Sequence, residues 1–274
     1  MHPGRPPLHD SEDGQLPRRQ LGNTDLHLSV LGLGTVKFGR TENVKYPTAF
    51  ELPNDEALTR LLQQAIDLGI NYLDTAPAYG QSEERLGKLL GPMRDSFVLS
   101  TKVGEYFVDG ESHYDFSQQA TIASVERSLR KLRTGHLDIV FVHSNGEDAE
   151  IIQRSPIIET LSRLKEKGDI GAIGFSGKDA AESALALNQV DAFMIALNQH
   201  DTSQDSLLKL CETNHKGVVI KKALASGHVT DPHGALRFAA GYSGVTSVVV
   251  GSITPHHLQD NVAALATASA SHDR

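Results

Sequence analysis

Cysteine is almost absent from this 274-residue chain: it occurs once, at Cys211. One thiol excludes an internal disulfide and any zinc centre built on several cysteines. No run approaches the roughly 20 apolar residues that a membrane helix needs. Positive charge is also in deficit, with 26 Lys and Arg against 34 Asp and Glu and a net charge of −8. Broad attraction to nucleic acid or to an anionic membrane surface is therefore not expected. The first 17 residues hold four prolines and no apolar segment of the kind a secretory signal requires. They are expected to form a flexible arm, and residues 269–274 a flexible tail, around one folded unit at 18–268. The composition points to a cytoplasmic protein with a sizeable core.

From residue 27 onward, short apolar runs alternate with segments of helical period. The predicted strands are 28–34, 70–76, 97–103, 137–143, 170–176, 190–199, 217–224 and 245–251. Their apolar residues are contiguous more often than alternating, as expected of parallel strands covered on both faces. Between them, Leu58, Leu61, Leu62, Ala65 and Ile66 form a helical stripe, as do Ile122, Val125, Leu129 and Leu132. Eight strand–helix units predict an α/β fold of the closed (β/α)8 barrel type. The competing open sheet normally carries a Gly-x-Gly-x-x-Gly loop after its first strand, and Gly32-Leu33-Gly34-Thr35-Val36-Lys37 lacks it. Segments 38–53 and 105–116 read as long irregular loops over the barrel mouth.

Active sites of such barrels lie at the carboxyl ends of the strands. There the sequence places Asp74 with Tyr79 just beyond, then Lys102, His143, Ser176, and the pair Asn198 and Gln199. A polar residue closing five successive apolar strands is more than a satisfied buried group requires. A phenol is a weak acid at neutral pH, and a neighbouring ammonium held by a carboxylate would bring it toward ionisation. Tyr79 backed by Lys102 and Asp74 would then protonate a developing alkoxide, with His143 orienting the oxygen. His143 has no partner at His-x-His or His-Glu-x-x-His spacing, so no metal site is expected. A Schiff-base lyase using Lys102 or Lys221 is the rival chemistry.

The segment LDTAPAYGQSEERLGKLL at 73–90 resembles the Asp-x-x-x-x-Tyr-Gly signature of the aldo-keto reductases. STKVG at 100–104, LDIVFVHS at 137–144, GAIGFS at 171–176, ALNQ at 196–199 and GSITPHHLQDN at 251–261 follow the same family in order and spacing. The resemblance spans about 19–265. It implies a barrel that reduces aldehydes or ketones with NADPH, or with NADH, bound without a Rossmann domain. It makes Asp74, Tyr79, Lys102 and His143 the catalytic tetrad. Ser176, Asn198 and Gln199 would surround the nicotinamide carboxamide. Gly251, Ser252 and a helix starting near Thr254 would receive the adenosine phosphate, and Asn261 the adenine.

The chain departs from the family at three places. Gly177 stands where Asn is common beside the carboxamide. Lys221 stands where an aromatic residue commonly stacks on the nicotinamide, and a contact with the cofactor is expected of it instead. The basic residues that commonly grip a 2′-phosphate are replaced, leaving His257 as the candidate. These departures motivate a second reading, a cofactor-binding sensor barrel with little turnover. The expected partner is a small carbonyl compound; the sequence does not indicate an oligomeric state.

Overall fold

A computed structural model describes residues 16–266. Residues 1–15 of the expected arm at 1–17, and the expected tail at 269–274, lie outside the described residues.

A hairpin opens the described chain. Its strands β1 (Arg18–Gln20) and β2 (His27–Ser29) pair antiparallel. The barrel follows in chain order: β3 (Leu31–Gly34), the short α1 (Val36–Gly39) and α2 (Asp55–Asp67), β4 (Tyr72–Asp74), α3 (Ser82–Leu89) and β5 (Val98–Val103). A second hairpin, β6 (Glu105–Val108) and β7 (Glu111–Tyr114), precedes α4 (Gln118–Leu132) and β8 (Leu137–His143). Then come α5 (Asp148–Arg154), α6 (Ile157–Lys167), β9 (Ile170–Ser176), α7 (Ala180–Ser183) and β10 (Ala192–Ala196). The chain closes with α8 (Asp205–Thr213), β11 (Gly217–Lys221), α9 (Pro232–Ala240), β12 (Ser247–Gly251) and α10 (Pro255–Ala266).

Eight strands form a closed barrel in the order β3-β4-β5-β8-β9-β10-β11-β12, with β12 returning to β3 and every pair parallel. The expected fold class is thus the observed one. Local chemistry explains the helices. Asn54 caps α2 by accepting from the Ala57 N–H at 2.8 Å, and acidic Asp55 and Glu56 occupy its first turn. Its buried face, Leu58, Leu61, Leu62 and Ala65, lies on the barrel as the stripe predicts. Removing a leucine of this kind from water contributes roughly 1.5–3 kcal/mol.

Two apolar layers result. One lies between the strands and the helix ring. The other fills the barrel with Tyr72, Val98, Ile139, Phe141, Ala172, Ala192, Met194 and Val219, closed at the amino end by Leu21 and Leu28 of the first hairpin. Leu16, 1% exposed, belongs to the outer layer, and the Pro17 carbonyl accepts from the Val30 N–H. Leu16 and Pro17 are thus packed on the barrel. The segment 105–116, read from sequence as irregular, holds the β6–β7 hairpin, turning at Asp109 and Gly110 with φ of 50° and 81°.

Candidate active site

Barrel register brings the strand ends into one ring. Gly34 pairs with Asp74, His143 with Ser176, Ala196 with Lys221, and Gly251 with Gly34. They surround a cavity of about 1130 Å³. Asp74, Tyr79, Lys102, His143, Ser176, Lys221, Gly251, Ser252, Thr254, His257 and Asn261 all line it. Of the residues expected from sequence, Asn198 and Gln199 alone do not.

Asp74 and Lys102 form the most buried ion pair of the mouth, at 3% and 1% exposure. Lys102 Nζ donates to Asp74 Oδ1 at 2.7 Å, to Oδ2 at 2.8 Å and to the Thr75 carbonyl at 2.9 Å. All three ammonium hydrogens thus have acceptors. Ser100 Oγ also donates to Asp74 Oδ1, at 2.8 Å, a further hold on the carboxylate. Lys102 Nζ lies 4.7 Å from the centre of the Tyr79 ring. The sequence argument expected this ammonium to ease ionisation of the phenol, but burial wins. Burial, then Asp74, Glu105 and Tyr46, hold the Tyr79 phenol well above its ordinary value, with Arg40 opposing them. Tyr79 is therefore a protonated donor at neutral pH.

The bend that carries Tyr79 depends on glycine. Gly80 has φ +61°, and a Cβ there would stand 2.2 Å from the Gly39 carbonyl oxygen. Ser82, the first residue of α3, donates its N–H to the Tyr79 carbonyl at 3.2 Å. Its hydroxyl donates to Thr35 Oγ1 at 2.8 Å. Tyr79 is thereby tied to the ends of β3 and β4.

His143 projects from β8 with Nδ1 2.5 Å from Glu105 Oε2. Burial lowers the imidazole below its ordinary value, helped by Lys102 and Lys221, while Glu105 acts in the opposite direction. Burial alone would raise the Glu105 carboxyl, but contact with His143 and Ser112 and the charge of Arg40 hold it at about 2. No sequence signal singled out Glu105.

Three features correct the sequence reading. The strand predicted at 190–199 ends at Ala196, and a tight bridge between Asn198 and Asp201 turns the chain outward. Asn198 spends its side chain on that turn, donating to the Lys222 carbonyl and accepting from the His200 N–H. Gln199 faces solvent. The glutamine in the cavity is instead Gln204, 2% exposed, whose Oε1 accepts from the Ala196 N–H at 2.8 Å. Its Nε2 is sealed from solvent and has no partner among the described residues.

Gly177 has a packing cause. A Cβ there would stand 2.0 Å from Ser183 Oγ and 2.5 Å from Asp148 Oδ2. Asp148 is fully buried and accepts from the N–H groups of Lys178 and Asp179 and the hydroxyls of Ser144 and Ser183. That knot ties the exits of β8 and β9 together and leaves no room for asparagine. Lys221 Nζ reaches across to donate to Ser176 Oγ at 2.9 Å and the Gly177 carbonyl at 3.0 Å. Burial, with Lys222 and Lys102 nearby, brings this ammonium down to about 7.

Lys45, Lys178 and Lys222 crowd the same rim, and Lys222 is lowered first by burial and then by the other two. Thus a chain of net charge −8 concentrates cations around its cavity. Among the described residues, no group of three His, Cys, Asp or Glu side chains is placed to hold a metal, and no helix is long and apolar enough to cross a membrane.

A parallel eight-stranded barrel carries a Tyr, a Lys–Asp pair and a His at its carboxyl mouth, and the comparisons place it among oxidoreductases. The aldo/keto reductase family model matches residues 30–233, and the chain belongs to that family. An uncharacterised oxidoreductase of Bacillus subtilis, YqkF, is 30% identical over 220 residues, covering 78% of this chain and 67% of that protein. L-galactose dehydrogenase of Arabidopsis thaliana is 30% identical over 227 residues, with the same two coverages. An aldo-keto reductase structure from Pseudomonas aeruginosa superimposes with a TM-score of 0.85 at 44% identity, covering 92% of this chain and 95% of the other. The holo form of aldo-keto reductase AKR11C1 from Bacillus halodurans gives a TM-score of 0.78 at 26% identity, covering 91% of each.

Proposed function

We propose that this protein reduces aldehyde or ketone carbonyls with NADPH as the favoured hydride donor and Tyr79 as the general acid. The observation that carries the reading is the convergence of Tyr79, the Lys102–Asp74 pair and His143 on one cavity at the barrel mouth. When bound, the nicotinamide supplies the hydride. Tyr79, a protonated phenol, donates its hydrogen to the carbonyl oxygen as charge develops there. Lys102 keeps a positive charge beside the ring that loses this proton, and Asp74 keeps Lys102 in place. His143 orients the substrate.

The residues present fit a nicotinamide cofactor. The orphaned Gln204 Nε2 is a buried donor that lacks an acceptor, and a carboxamide oxygen is one. Ser176 Oγ stands in the same cavity, while Lys221 stands ready as a third donor. At the other end, Ser252 and Thr254 precede α10, a helix of 12 residues with no acid in its first turn, and its free N–H groups suit a phosphate. His257 lies in the first turn of α10 and Asn261 in the second. The rim lysines favour the more highly charged NADPH over NADH.

Titration with NADPH and NADH, followed by quenching of the cofactor's fluorescence, tests the binding, and a panel of aldehydes and ketones tests the reaction. Tight NADPH binding with turnover is expected, and Tyr79→Phe should abolish turnover while leaving the Kd for NADPH within about twofold. Absence of binding to either dinucleotide would overturn the reading. Tight binding without turnover of any carbonyl would favour a sensor role.

A further inference from the structure

Lys221 closes β11, and its side chain crosses the cavity to the exit of β9. Nζ donates to Ser176 Oγ at 2.9 Å and to the Gly177 carbonyl at 3.0 Å, so two of its three ammonium hydrogens have acceptors. The charges around it are nearly all of its own sign. Lys222 stands next in the chain, Lys102 on β5 and Lys178 beyond β9, and each makes the ammonium harder to keep. His143 on β8 feels its charge as well. Asp148 on α5 is the one opposing group. Its two oxygens are already engaged by the hydroxyls of Ser144 and Ser183 and the N–H groups of Lys178 and Asp179. From the β10 side the neighbour is Ala196, which pairs with Lys221 in register and whose N–H holds the neutral amide of Gln204. From β12, Val249 and Val250 line the cavity without charge.

A buried ammonium without a committed counter-ion tolerates a neutral neighbour and rejects a cationic one. The two redox states of a nicotinamide differ in that respect: the reduced ring is neutral, and the oxidised ring carries a positive charge. Both bear the same carboxamide, so Gln204 Nε2 and Ser176 Oγ, which hold that amide on the reading above, cannot tell the two states apart. Lys221 can. A ring anchored by its amide at Ser176 Oγ lies against the Nζ that already touches this oxygen.

We propose that Lys221 is a specificity-determining residue that loads the site with the reduced cofactor and expels the oxidised one. This role rests on the reductase reading given above. In the reaction the hydride goes to the carbonyl carbon and the Tyr79 proton to its oxygen, and the ring left behind gains a positive charge beside Lys221. The spent cofactor is then repelled and does not linger to block the next turnover. The ammonium can also answer that charge by giving up its own proton, since burial brings it from its ordinary 10.5 down to about 7. Its charge is present below that value and gone above it. Binding of the oxidised cofactor near neutral pH therefore drives a proton off Lys221, and binding of the reduced cofactor does not.

Calorimetric titration of the whole protein with NADP⁺ and with NADPH tests this without any turnover. At pH 6 the Kd for NADP⁺ should exceed that for NADPH by about tenfold or more, and the ratio should fall toward unity by pH 8.5. At pH 6.5, titrations in buffers of different ionisation enthalpy should show more proton release with NADP⁺ than with NADPH, the shared 2′-phosphate cancelling between the two. Lys221→Met should flatten the ratio across pH and remove the difference in protons. Lys222→Met, which removes a rim charge and leaves the bond to Ser176, should weaken both cofactors and keep the ratio. Equal Kd values at pH 6 in the unaltered protein would overturn the proposal, whether or not any variant folds. A ratio that survives unchanged in a folded Lys221→Met protein would overturn it too. If both cofactors bind equally and carbonyls are still reduced, the reductase reading stands and the role of Lys221 alone fails. If neither cofactor binds, both fail.

Discussion

Lys102 Nζ sits between the two oxygens of Asp74, 2.7 Å from one and 2.8 Å from the other, with both side chains sealed from solvent. A buried pair of this kind is costly to break from one side, because the surviving charge is left without compensation. Lys102→Met or Asp74→Asn alone should therefore lower stability by roughly 3–5 kcal/mol in urea unfolding. The double variant should recover part of that loss. A double variant no more stable than either single one would show that the pair is not energetically coupled.

Gln204 and Gln199 should separate cleanly in cofactor binding. Gln204→Ala removes the buried, unpartnered Nε2, whereas Gln199→Ala changes an exposed side chain. Loss of one hydrogen bond of about 1.4 kcal/mol raises the Kd for NADPH about tenfold in the first case. The second variant should match the unaltered protein. The titration that measures NADPH affinity decides between them.

Gly39→Ala should impair turnover without adding an atom to the cavity. A Cβ at that position would stand 2.6 Å from the Tyr79 carbonyl oxygen and 2.2 Å from the Ser82 nitrogen. Those are backbone atoms, so the segment carrying Tyr79 has to move. A displacement of about 1 Å at a catalytic group costs on the order of a hundredfold in rate. A fall in kcat with little change in NADPH affinity is the expected pattern.

Acid should reveal Glu105. Its folded pKa of about 2 lies below its ordinary value of 4.5. A carboxyl lowered by folding contributes stability that is fully present above the ordinary value and is lost as pH falls toward the folded one. The contribution is at most on the order of 3 kcal/mol. Urea midpoints measured from pH 6 to pH 2.5 should show Glu105→Gln less stable than the unaltered protein at pH 6. The gap should narrow below pH 4.5, and a gap independent of pH would contradict the assignment.

The barrel was legible because its strands are covered on both faces. The predicted strands 137–143 and 170–176 coincide with β8 and β9, since contiguous apolar runs there end in a polar residue where the barrel opens. The convergence of Asp74, Tyr79, Lys102 and His143 on the mouth was legible for the same reason. The β6–β7 hairpin was not, although Asp109-Gly110 between aromatic and polar residues is a turn signal of known type. Exposed on the mouth, it lacks the apolar alternation of a core strand. Gln204 was not legible because the turn at Asn198 and Asp201 reverses the chain before it, and no residue type announces that reversal. The conflict between burial and Lys102 at Tyr79 was invisible for a different reason: sequence names the charges near a phenol but not the water missing around it.

The first hairpin has a consequence for access. Leu21 and Leu28 cover the amino end and Tyr72, Phe141, Met194 and their neighbours fill the barrel, so the described cavity lies wholly at the carboxyl mouth. Ser176 and Gln204 lie deep, at 1% and 2% exposure, while Tyr79 and His143 stand nearer the threshold, half-buried. A molecule seated on either pair therefore approaches from the same side of the barrel, and neither can pass along its axis. The hairpin thus makes the molecule one-sided: whatever arrives and whatever leaves must share one face.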